Sequence, residues 1–208
     1  MRRTTRRRLV AATAVTGTGL LGASLAARPG SARFYVLTAA TAATWAGGAA
    51  LAGRIRWGHT TLAVPAALGV AAFVPFYLAA LVCRRIRPLR RVLTSVLAYA
   101  HRGSTRAVLA TTLLNGVAEE LFFRDTVYVV FGGRHRLATS TGVYAAATTA
   151  TRNPALVAAS VVMGVLFGLQ RQVTGGVRAS MVTHLVWSTL MVTLLPPLFP
   201  PPAESPAD

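Results

Sequence analysis

Apolar blocks of about twenty residues recur along this chain, long enough to cross the hydrocarbon core of a bilayer as helices, and arginine collects in the intervals between them. Lipid offers the backbone no hydrogen-bond partner, so blocks of this length must satisfy their own peptide groups, as a helix does. The expected fold is all-α, a polytopic transmembrane helical bundle of about six to eight helices. Composition points the same way, with 53% hydrophobic and only 13% charged residues, against about 25% charged in a soluble domain. A formal charge of +17 would suggest nucleic acid in a soluble protein. Here no aromatics are interleaved with the basic residues and no polar helix is available to enter a groove, so nucleic acid is not an expected partner. Arginines between spans instead face anionic headgroups, and membrane lipid is the expected partner. The exclusive use of arginine over lysine fits a GC-rich genome and a multi-pass protein of a bacterial plasma membrane. The single Cys83 permits neither an intramolecular disulfide nor a cysteine metal cluster.

Three parts are expected: amino-terminal membrane helices with a basic interfacial segment over residues 1–105, a core over 106–195, and a disordered Pro-rich tail over 196–208. Arg2, Arg3, Arg6, Arg7 and Arg8 precede the apolar block 9–27. That block reads as a first membrane helix with a cytoplasmic amino end, the alternative being a secretory signal ending in small residues at 24–26. Blocks 34–53 and 60–83 follow, with His59 an interfacial loop residue and Pro65 and Pro75 expected to bend the third helix. The interval 84–106 holds seven arginines. Leu89, Val92, Leu93, Val96, Leu97 and Ala100 repeat there at helical spacing with Arg90 and Arg91 off the stripe. That pattern fits a surface-lying amphipathic helix or a basic connecting loop. His101 at its end reads as solvated. Block 107–131 is the fourth span, 137–150 and 155–169 are both short for a span, and 177–195 is the last. With the amino end inside and every block crossing, the seven-arginine interval falls outside, against the positive-inside tendency.

Of five acids, Glu204 and Asp208 sit in the tail, leaving Glu119, Glu120 and Asp125 within the body, all in the fourth apolar block. An ionised group at bilayer depth costs about 2.5–3.5 kcal/mol on insertion scales, so these acids must be paired, wet or engaged in chemistry. Glu120 and Arg124 are four apart and can pair along one helical face. Glu119 shares a face with Asn115 and Phe122 and is free to aim into a cavity and activate a water. Two further polar pairs interrupt later apolar blocks: Phe167 with Arg171, and His184 with Ser188, each one helical turn apart. Bland readings stand beside the sharp ones. Glu120 and Arg124 are equally explained as a helix-stabilising ion pair, and His184 as a satisfied interhelical residue. Arg171 reads as a helix-end group snorkelling to headgroups. Trp45, Trp57 and Trp187 read as packing or interfacial anchors.

Taken in order, Glu119-Glu120-x-x-x-Arg124, Phe167-x-x-x-Arg171 and His184-x-x-x-Ser188 resemble the motif set of the CAAX-protease and bacteriocin-processing family (CPBP). These are type II CAAX prenyl endopeptidase-like intramembrane proteases, with motifs Glu-Glu-x-x-x-Arg, Phe-x-x-x-His and His-x-x-x-Asn. The resemblance covers roughly residues 106–195. It implies a helical membrane bundle with a polar cavity toward the cytosol and an endopeptidase acting on membrane-associated peptides or proteins. By the same resemblance Glu119 activates water with help from the second motif, His184 and its partner stabilise the oxyanion, and Glu120 and Arg124 support the site. Two positions depart from the family pattern: Arg171 stands where the family has histidine, and Ser188 where it has asparagine. Arginine neither ligates a metal nor accepts a proton. A divalent metal such as zinc would then have only Glu119 and His184 as evident ligands, with His135 a remote loop candidate, where catalytic zinc normally takes three protein ligands. Arg171 has the alternative role of holding an oxyanion or a substrate carboxylate. A catalytically inactive member acting as a membrane-partner scaffold is the second expectation, and a small transporter using Glu119 as a proton or cation site the third.

Overall fold

Why the amino-terminal blocks pack as they do is visible in their small residues. The computed structural model describes residues 1–200, and every regular element among them is helical. The first block becomes α1 (Arg3–Leu25) and the second α2 (Ala32–Ala52), whose first turn is capped by the Ser31 side chain accepting from the Phe34 N–H. Gly17 lies under the Trp45 ring and Gly48 against Thr13, so the two helices approach closely, as membrane helices do through small residues. Trp45 is fully buried and meets Phe123 edge-on at 5.2 Å, which joins this pair to the carboxyl-terminal half.

The third block forms α3 (Ala63–Cys83). Only Pro75 lies in its interior. Pro65 falls in the first turn, where a missing N–H costs nothing, so the expected bend at that position does not arise; its carbonyl instead accepts from Thr183 Oγ1 at 2.8 Å. The arginine-rich interval folds as α4 (Arg87–Arg102), a helix rather than a connecting loop. Leu93, Val96 and Leu97 of its apolar stripe pack with Phe73, Ala80, Leu195 and Phe199, while Arg90 and Arg91 stay exposed. His101 is only half solvated: Phe199 folds back, 3% exposed, and its carbonyl oxygen lies 2.9 Å from His101 Nε2. Within the expected tail, Pro196–Leu198 forms a 3-10 turn at the end of the core. The rest of the expected tail, 201–208, lies outside the described residues.

The fourth block starts as α5 (Thr105–Glu119), continues as a π-helix over Glu120–Val127 and closes with α6 (Tyr128–Val130). After a turn comes α7 (Arg136–Thr148), which with 13 residues is short for a span, as expected. The next block is longer than expected. α8 (Pro154–Thr174) has 21 residues, starting where Asn153 Oδ1 accepts from the Ala155 and Leu156 N–H groups and ending at Gly175 in the left-handed region. α9 (Arg178–Leu194) follows.

Among the described residues, five helices are long and apolar enough to cross a membrane: α1, α2, α3, α8 and the segment Arg178–Leu198 that contains α9. Residues 53–61 lie at the same end as the start of α1 and are strapped across the turn between α8 and α9. Val177 N–H donates to the Arg56 carbonyl at 2.9 Å, Arg178 N–H to Trp57 at 3.0 Å, and His59 N–H to Thr174 at 3.2 Å. Gly58 and Gly176 stand backbone to backbone there, a crossing that a side chain on either would block. α4 lies at the opposite end, where Tyr99 donates to the Leu25 and Ala27 carbonyls and Asn153 Nδ2 to that of Val92. The arginine-rich interval is thus opposite the amino end, and arginine occupies both ends of the bundle.

Candidate functional site

Glu119 ends the regular part of α5 and Glu120 opens the π-helix. A π-turn is wider than an α-turn, is rare, and recurs at functional positions. It changes what the i,i+4 spacing of Glu120 and Arg124 delivers. Both side chains are fully buried, yet Arg124 Nε stands 3.8 Å from Glu120 Oε1, beyond hydrogen-bond reach. No guanidinium nitrogen of Arg124 has a hydrogen-bond partner among the described residues. The guanidinium lies instead 4.1 Å over the centre of the Tyr144 ring and 5.2 Å from that of Phe167. Desolvated, such cation–π contacts are worth about 2 kcal/mol or more. The expected ion pair is present, but two aromatic rings hold the arginine in place.

His184 of α9 sits between the two glutamates. Its Nδ1 is 3.1 Å from Glu120 Oε1 and its Nε2 is 4.0 Å from Glu119 Oε2. The two ring nitrogens point to opposite edges, so neighbouring glutamates with diverging side chains can each meet one imidazole. An ionised carboxylate only accepts, so with Glu120 ionised Nδ1 carries a hydrogen toward it. The ring of Phe167 stacks on His184 at 4.7 Å and 24°, fixing its plane. A Cβ at Gly116, one turn before Glu120, would meet the same ring at 3.7 Å, an ordinary van der Waals contact, so α5 runs close beside it. Tyr144 of α7 donates its hydroxyl to Glu119 Oε2 at 2.7 Å. Glu119 is the less enclosed of the pair, its side chain 13% exposed against 0% for Glu120.

A second charged layer lies one turn on. Asp125, 2% exposed, takes Arg171 Nη2 at 3.1 Å and Arg56 Nη1 at 3.6 Å on the same Oδ1. Arg171 Nε also donates to the Arg124 carbonyl at 3.0 Å, and its guanidinium lies 5.1 Å from the Tyr128 ring centre. Arg171 is therefore buried and paired, not snorkelling toward headgroups, because the buried Asp125 draws it inward.

The structure brings Glu119, Glu120, Arg124 and His184 of the motif residues together. Arg171 belongs to the Asp125 layer. Ser188 is buried one turn beyond His184 and makes no hydrogen bond to these side chains. His135 is exposed in the turn before α7. No group of three or more His, Cys, Asp or Glu able to hold a metal occurs among the described residues. The donor set does not fit a resident catalytic zinc: only Glu119 Oε2 and His184 Nε2 face each other, while Nδ1 is turned to Glu120.

Two residues at the site escape a reading of motifs. Tyr144 carries no spacing signal within its Ala- and Thr-rich helix. Asp125 does carry one, being the only body acid left without a role once the glutamates are assigned, next to an otherwise uncompensated Arg171.

Residues 101–190 match the model of the family described as Type II CAAX prenyl endopeptidase Rce1-like. This region belongs to that family. All three motif segments fall within the match, as do α5, the π-helix and most of α9. The Rce1-like family is a protease family, and with five helices fit to cross a bilayer the chain is a multi-pass membrane protein. No curated protein and no solved structure matches the chain.

Proposed function

We propose that this protein is an intramembrane endopeptidase that hydrolyses membrane-associated peptides or membrane proteins by glutamate-activated water. The observation that carries the reading is His184 set between two carboxylates of unequal burial, with Glu119 the more accessible. In this scheme Glu119 takes a proton from water and the water oxygen attacks the scissile carbonyl carbon. The C–N bond then breaks, and Glu119 returns the proton to the leaving amine. His184, held through Nδ1 by Glu120, presents its Nε2 edge to the oxyanion. Tyr144 orients the Glu119 carboxylate, and Arg124 offsets the charge of Glu120. Arg171 acts on the scaffold through Asp125 and not on the water.

The composition supports a bacterial plasma membrane as the setting, where peptides and membrane proteins rather than prenylated substrates are the expected targets. The deciding experiment reconstitutes the purified chain in liposomes and follows cleavage of fluorogenic membrane-proximal peptides, native against Glu119→Gln. Cleavage by the native chain that disappears in the variant is expected; equal cleavage by both would end the proposal.

One observation favours a second reading, an inactive member that binds a membrane partner. Arg171 occupies the position of the family histidine and is tied to Asp125, so it cannot assist water. Robust hydrolysis by the native protein rules this reading out.

A further inference from the structure

At the end of the bundle that carries the amino terminus, the start of α1 and the chain leaving α2 line an open pocket of about 610 Å³. Three arginines line it: Arg6 from α1, and Arg54 and Arg56 from the strap that follows α2. Leu51 and Ile55 supply apolar wall. Only Arg56 has an acidic partner among the described residues, reaching Asp125 at 3.6 Å while its side chain stays 45% exposed. Neither Arg6 nor Arg54 pairs with an acid among those residues. Arg6 Nε is shielded from solvent and has no hydrogen-bond partner among those residues. At Gly53 the chain runs beside this guanidinium, and a Cβ there would come within 3.3 Å of Arg6 Nη2.

We infer that this pocket is a binding site for a phosphate group. One carboxylate satisfies one guanidinium fork, whereas a phosphate presents several oxygens and serves convergent arginines at once. The site lies where the apolar spans α1 and α2 end, the depth of lipid headgroups, and apolar wall beside a basic pocket suits a phospholipid with its glycerol and upper acyl carbons. The phosphate comes from an anionic phospholipid or from solution. The inference does not rest on hydrolytic activity.

The test uses the full chain in detergent micelles and measures binding of phosphatidylglycerol and phosphatidylcholine by native mass spectrometry. Phosphatidylglycerol is expected to bind the native chain, and Arg6→Gln/Arg54→Gln to weaken that binding about tenfold. A control, Arg134→Gln/Arg178→Gln, removes the same charge from exposed positions at the same end and is expected to change it less than about twofold. Equal losses in both variants, or no loss in the first, would overturn the site. Competition by inorganic phosphate at millimolar concentration assigns the site to the free ion; failure to compete while the arginine dependence holds assigns it to the headgroup. Circular dichroism and melting check folding, and the single changes Arg6→Gln and Arg54→Gln replace the double variant if it misfolds.

Discussion

Glu119 Oε2 and His184 Nε2 face each other across 4.0 Å from two different helices, α5 and α9, while the far nitrogen of the same ring rests on Glu120. The gap is too long for a hydrogen bond and wide enough for a reacting oxygen to approach both groups. Glu120 and Phe167 fix the imidazole, Tyr144 fixes the carboxylate, and the facing atoms stay unjoined. Held groups that face one another without being joined are what a hydrolytic site requires.

Replacing Glu119 by glutamine should remove the base with little harm to the fold. The amide oxygen still accepts from the Tyr144 hydroxyl, which lies at 2.7 Å in the native site. Peptide cleavage should fall by about 10²–10⁴-fold, the usual worth of a positioned base, with the melting temperature close to native. A large loss of melting temperature would mean that the residue is structural.

Tyr144 serves two neighbours, and two substitutions separate them. Tyr144→Phe keeps the ring under Arg124 and loses only the bond to Glu119, so stability should drop by about 1 kcal/mol while cleavage drops more steeply. Tyr144→Leu also removes the aromatic face 4.1 Å from the guanidinium and should cost about 2 kcal/mol further. Thermal unfolding in detergent beside peptide cleavage reads both effects.

Chelation should leave cleavage unchanged, since one carboxylate and one imidazole face the reacting space and Arg171 supplies no third donor. Activity lost with a chelator and restored by zinc would refute the glutamate-only scheme.

The spans were legible because hydropathy is a sum over many residues, and lipid leaves little choice but a helix. The pairing of Glu120 with Arg124 was legible from spacing, but not its length, because Glu120–Val127 is π-helical and α-helical geometry no longer applies. The fate of Arg171 was not legible from its own surroundings, where a cation near a helix end looks like a headgroup anchor. It depends on Asp125, forty-six residues away in sequence, and only a count of unpaired acids pointed there. The fold of 196–199 hinged on His101, whose capture of the Phe199 carbonyl has no local pattern.

The Asp125–Arg171 pair offers the sharpest test of whether the second motif here is scaffold. Both side chains are nearly inaccessible, at 3% and 6%, and 3.1 Å apart. Removing either partner leaves a buried charge. Asp125→Asn or Arg171→Met alone should therefore destabilise by about 3–5 kcal/mol, and the double variant by much less than the sum. Arg56, at 3.6 Å from the same Oδ1, softens the Arg171 loss but not the Asp125 loss, so Asp125→Asn should be the costlier single change. Melting of the four proteins in detergent closes the cycle. Additive losses would show that the two side chains act independently, and Arg171 would again be a candidate for contact with substrate.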